Sequence, residues 1–105
     1  MQKKEKTNNC PVEITLSLIG GKWKGIILYH LIDGKKRFGE LKKFMPNITQ
    51  RMLTKQLREL ENDSLIHRKI YKVVPPKVEY SLTKQGESLK EIIFSLEKWG
   101  KNYQK

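Results

Sequence analysis

The sequence predicts an α+β domain that is mainly helical, and three observations carry that expectation. Apolar residues recur at spacings of three and four in five separate segments, the period of a helix buried along one side. One later segment switches to a period of two beside a proline-rich tip, which marks a hairpin. At 105 residues the chain supplies one compact domain, and its 37% hydrophobic content implies a small core that leaves apolar surface for a partner subunit.

The elements follow in order. Pro11 suits a first helical turn; Val12, Leu16 and Ile19 form a short stripe, and Gly20-Gly21 supplies a stop. Trp23, Ile27 and Leu31, with Ile26 beside them, form a second helix apolar enough to be central, ended by Asp33-Gly34. After the basic turn Lys35-Lys36-Arg37, a third short helix carries Phe38, Leu41 and Met45. Pro46 closes it, because the residue before a proline is disfavoured in the helical region.

Pro46-Asn47-Ile48 makes a tight corner, and Thr49 is the expected N-cap of a fourth helix. There Met52, Leu53, Leu57 and Leu60 fall within an arc of about 140° at ~100° per residue. Gln50, Arg51, Thr54, Lys55 and Arg58 occupy a separate arc. Ile66 to Val73 is rich in β-branched and aromatic residues, Val74-Pro75-Pro76-Lys77 interrupts any ladder, and Val78 to Leu82 alternates, so a two-stranded hairpin is expected. Thr83 is the expected cap of the last helix, whose stripe of Leu89, Ile92, Ile93, Leu96, Trp99 and Tyr103 is too apolar to face water. A symmetric mate is the expected cover, with the N- and C-terminal helices forming the homodimer interface.

Charge narrows the function classes. Lys and Arg number 22 against 11 Asp and Glu, a formal charge of +11, and self-repulsion of that size is relieved by a polyanion. Lys35, Lys36, Arg37, Lys42, Lys43, Arg51, Lys55 and Arg58 stand against a single acid, Glu40, in one quarter of the chain. A solvated surface would intersperse its signs.

Two helices joined by a short corner, the second apolar beneath and rich in donors above, make a helix-turn-helix, and a hairpin directly after it makes a wing. Arg and Gln can bond guanine or adenine edges in the major groove, and Thr suits thymine methyls. Arg68, Lys69, Lys72 and Lys77 give the wing charge for phosphates or a flanking minor groove. The expected partner is therefore a double-stranded DNA operator, and a twofold dimer would match a palindromic one.

The blocks CPVEITLSLIGGKWKGIILYHL, RFGELKKFMPNITQRMLTKQLRELENDSLIHRKIY and VPPKVEYSLTKQG resemble, in that order, the HxlR family of bacterial winged-helix transcription regulators, relatives of the MarR-like dimers. The resemblance spans Cys10 to about Trp99, after a basic arm over residues 1–9 expected to be flexible. It implies a homodimer that binds operators with the second helix of the motif and the wing and controls nearby genes, often in response to electrophiles, aldehydes or oxidants; repression is the expected mode, although the position of the operator relative to a promoter decides it. It places Thr49, Gln50, Arg51, Thr54, Lys55 and Arg58 at or near DNA and Lys77 at a flanking groove.

Members of that family with a cysteine just before the first helix often use it as a redox or electrophile sensor, and Cys10 has that place. The positive end of a helix favours a thiolate there, while Glu13, one turn on, opposes it. The other reading of Cys10 is a small apolar filler near the dimer contact. Some of these sensors pair two cysteines across subunits. With one cysteine in this chain, Cys10 to Cys10 pairing, a mixed disulfide or direct alkylation remain.

Other classes find less support. His30 and His67 have no Cys or carboxylate at ligand spacing, so neither a metal nor a cofactor is expected. Catalysis has no paired carboxylates, phosphate loop or nucleophile with an oriented base; a thiol enzyme built on Cys10 is a remote alternative. A basic RNA- or ribosome-associated module shares the charge but would display aromatics on a sheet. Trp23 is expected in the core and not as a stacking platform. No window reaches the roughly 18 apolar residues of a membrane span, the first ten residues lack the apolar run of a signal peptide, and a cytoplasmic location is expected.

Overall fold

A computed structural model describes residues 10–105; the expected N-terminal arm lies outside the described residues. Helix α1 (Pro11–Ile19) starts with Pro at its first position and ends at Gly20, where a Cβ would meet the Leu16 carbonyl oxygen. Helix α2 (Lys24–Leu31) buries Ile27, Leu28 and Leu31, and Gly34 leaves it with φ +140°. Strand β1 (Lys36–Arg37) leads directly into α3 (Phe38–Phe44), whose Glu40 carboxylate accepts from the Arg37 N–H at 2.8 Å.

Pro46 and Asn47 turn the chain into α4 (Gln50–Asn62), and the Thr49 hydroxyl accepts from the Met52 N–H at 3.0 Å, so the expected cap is in place. Leu53, Leu57 and Leu60 are buried. At about 1.5–3 kcal/mol for each buried leucine side chain, that row holds α4 against the body while its other side stays in solvent. Strands β2 (Ile66–Tyr71) and β3 (Lys77–Leu82) pair antiparallel, from Ile66 opposite Leu82 to Tyr71 opposite Lys77. The arrangement of α3, corner, α4 and hairpin is a winged helix-turn-helix.

Three expectations need correction. The sheet has three strands, in the order β1-β3-β2, with Lys36 opposite Tyr80 and Arg37 opposite Glu79. The segment expected to be only a basic turn supplies the third strand, and two residues are too few to show a period of two. The last helix does not begin at Thr83. Thr83 instead caps a short α5 (Lys84–Glu87), accepting from the Gly86 N–H at 2.9 Å and donating to the Ser64 carbonyl at 2.7 Å. A Cβ on Gly86 would meet the Leu65 carbonyl oxygen, so this glycine lets the helix pack tightly on the turn after α4. The long helix α6 (Lys90–Gln104) follows Leu89.

The third correction concerns the apolar stripe. Leu89 and Ile93 are 9% and 4% exposed and belong to the protomer's own core with Ile19, Ile27 and Leu28, so they leave the expected dimer surface. Ile92, Leu96, Trp99 and Tyr103 point outward, as do Val12, Ile14 and Leu16 of α1. Trp23 packs partly buried against the core, with the Lys22 ammonium 4.8 Å from its ring centre. Among the described residues no helix is long and apolar enough to cross a membrane.

Candidate nucleic-acid interface

Because α4 turns its leucines inward, Gln50, Arg51, Thr54, Lys55 and Arg58 are all exposed and border one open hollow on its outer side. The sequence-derived reading face is thus a single surface. Its members are not equally free. The Thr54 hydroxyl donates to the Gln50 carbonyl at 2.9 Å, so its hydrogen-bond donor is spent on the backbone and its methyl group is left for apolar contact. The Thr49 hydroxyl is engaged by the cap.

Lys55 reaches Glu59 at 3.7 Å, and Glu59 is bound more closely by Lys24 at 2.8 Å. That Lys24 hydrogen bond, more than Lys55, holds the Glu59 carboxyl below its ordinary value. Arg51 and Arg58 make no ion pair among the described residues, so their guanidinium groups keep the fork geometry that fits guanine or phosphate.

The wing joins the helix through Arg68 of β2, whose guanidinium lies 3.2 Å from Glu61 of α4. Lys72 is exposed just beyond β2. Lys77 opens β3. Its ammonium lies 3.6 Å from Glu79 and 4.8 Å from the Tyr71 ring centre. The Tyr71 hydroxyl donates to Glu79 at 2.8 Å, and Lys35 reaches the same carboxylate at 3.4 Å. The Tyr71 bond, helped by Lys35 and Lys77, holds the Glu79 carboxyl below its ordinary value, while burial pushes the other way. Sequence reasoning missed Tyr71, Glu79 and Lys35 as one unit. The available signal was that Glu79 stands alone among five Lys and Arg residues between Ser64 and Gly86.

Ile19, Ile26, Ile93 and Leu96 line a second groove of about 460 Å³, which Tyr29 and Glu97 also line, with a hydrogen bond from the Tyr29 hydroxyl to Glu97 at 2.7 Å. Trp99 and Tyr103 of α6 stack at 5.0 Å. Cys10 is exposed at the start of α1. His30 stacks on Phe44 at 4.5 Å, and burial pushes its imidazole below its ordinary value.

A family model described as HxlR-like helix-turn-helix matches residues 18–105. The uncharacterized HTH-type transcriptional regulator YdeP of Bacillus subtilis (strain 168) is 67% identical over 94 residues, covering 90% of this chain and 73% of that relative. Among solved structures, the redox regulator HypR in its oxidized form is similar with a TM-score of 0.86 at 61% identity, covering 89% of this chain and 96% of that one. HypR in its reduced form gives a TM-score of 0.88 at 59% identity, over 90% and 94% of the two chains.

Proposed function

Because the chain belongs to the HxlR-like helix-turn-helix family and is a transcriptional regulator, we propose that it binds palindromic duplex operators as a homodimer and represses the genes beside them. The observation that carries this reading is α4. A buried leucine row fixes it in place, and five exposed hydrogen-bonding or cationic residues stand on its free side. The major groove admits one helix of this width and presents acceptors that suit Arg and Gln. The apolar surface of α1 and α6 supports a second copy, which would set two such helices on successive half-sites.

The test is retention of fragments of the organism's own genome on the purified protein, followed by titration. The expected result is recovery of palindromic sites, a steep fall of affinity with salt, and preference over random duplex and RNA. Indifference to every genomic duplex would end the reading, and preference for RNA would replace it.

Cys10 is the proposed sensor within this function. It is exposed, and HypR, 61% identical, is described as a redox regulator in an oxidized form. Diamide or a quinone is expected to weaken operator binding by the wild type and to leave Cys10→Ser unaffected. An equal response in both would make the thiol a spectator.

A further inference from the structure

The wing carries a charge arrangement that the DNA reading leaves unused. Arg37 of β1 and Lys69 of β2 lie directly opposite Glu79 of β3, and opposed residues share a face of a sheet. Lys77, two residues earlier on β3, shares that face as well. Lys35 precedes β1 and reaches in from its end. One carboxylate, its side chain 11% exposed, therefore sits among four cations.

Its contacts are specific. One oxygen accepts from the Tyr71 hydroxyl at 2.8 Å and faces Lys35 at 3.4 Å; the other faces Lys77 at 3.6 Å. Tyr71 extends the cluster, because the ammonium groups of Lys69 and Lys77 lie 4.9 and 4.8 Å from its ring centre. Removing the carboxylate from such a place would leave like charges facing one another. A phosphate would have to compete with Glu79 for the same two ammonium groups.

We infer that Glu79 is a positioning residue for DNA binding, a built-in counter-anion that engages Lys35 and Lys77 and so limits the number of phosphates the wing takes. This rests on the DNA reading and goes beyond it, since it assigns the two lysines to an internal partner. Phosphate contacts carry no sequence information, so the effect falls on all duplexes alike.

The test uses a labelled random-sequence duplex and the wild-type chain, Glu79→Gln, Lys35→Ala/Lys77→Ala, and the triple variant, each titrated over a range of salt. Glutamine keeps an acceptor for Tyr71 while removing the charge. Glu79→Gln is expected to bind more tightly, by about 8-fold per released lysine at about 0.1 M salt, with a slope of log affinity on log salt steeper by about 0.9 for each phosphate gained. The triple variant is expected to lose that gain. In the wild-type background the lysine pair is expected to shift the slope by less than one phosphate. An unchanged or shallower slope in Glu79→Gln, a gain that survives in the triple variant, or a loss of two full phosphates on removing the lysines from the wild type would each overturn the assignment. The last comparison stands even if Glu79→Gln fails to fold. A wild-type chain that ignores duplex altogether would instead overturn the DNA reading itself.

Discussion

Arg51 and Arg58 differ from Lys55 and Lys77 in what already holds them. The lysines face Glu59 and Glu79, whereas the arginines have no ion-pair partner among the described residues. Arg51→Ala or Arg58→Ala is therefore expected to lower affinity for the retained genomic site by about 1–3 kcal/mol in fluorescence titration, with thermal stability unchanged. Unaltered affinity in both would remove the reading face. His30 makes a different prediction. Burial, opposed by Asp33 and helped by Lys36, holds its imidazole below the ordinary value of 6.5, so the unfolded chain takes up the proton first as pH falls. The stability contributed by neutral His30 is complete above that value and is lost as pH drops through the folded-state value. The thermal midpoint is expected to fall from neutral pH toward about pH 5, and His30→Phe, which keeps an aromatic ring against Phe44, is expected to flatten that part of the curve.

At the scale of elements, α4 must be rigid at the end that would enter a groove. Its first turn carries Gln50 and Arg51 and is secured by the Thr49 cap. Thr49→Ala is expected to lower unfolding free energy by about 1 kcal/mol in urea. If the residues of that turn read bases, Thr49→Ala is also expected to weaken genomic-site binding more than random-duplex binding. Loss of stability without that difference would make the cap purely structural. The wing is tied to the same helix by Arg68 and Glu61, and to the body by β1, so helix and hairpin present one continuous surface.

For the whole molecule, the apolar surface of α1 and α6 is the feature that one protomer leaves unfinished. Trp99 and Tyr103 are 66% and 77% exposed on a helix whose inner residues already fill the core. Leu96→Glu combined with Trp99→Ala is expected to sediment as a folded monomer and to bind a palindromic site about 100-fold more weakly or worse, since each half then binds alone. A double variant that stays dimeric would place the subunit contact elsewhere. The charge of +11 belongs to this scale too, because it raises encounter rates with any duplex and makes them dependent on ionic strength.

Local rules made much of this legible. The cap at Thr49, the first-turn Pro11, the stop at Gly20-Gly21, the apolar row of α4 and its opposed donors all arise from residues within a turn or two of one another, where periodicity and side-chain chemistry suffice. What escaped depends on residues far apart in the chain. β1 exists because Lys36 and Arg37 find Tyr80 and Glu79 more than forty positions later. Leu89 and Ile93 face inward because Ile19, Ile27 and Leu28, some sixty or more positions earlier in the chain, form the core that they complete. Lys77 is engaged because folding brings Glu79 and Tyr71 to it, with Lys35 on the same carboxylate. A sequence displays which side chains can donate, accept or pack, but which partner each one meets depends on long-range closure of the chain, and that closure decides which cations come to face a carboxylate.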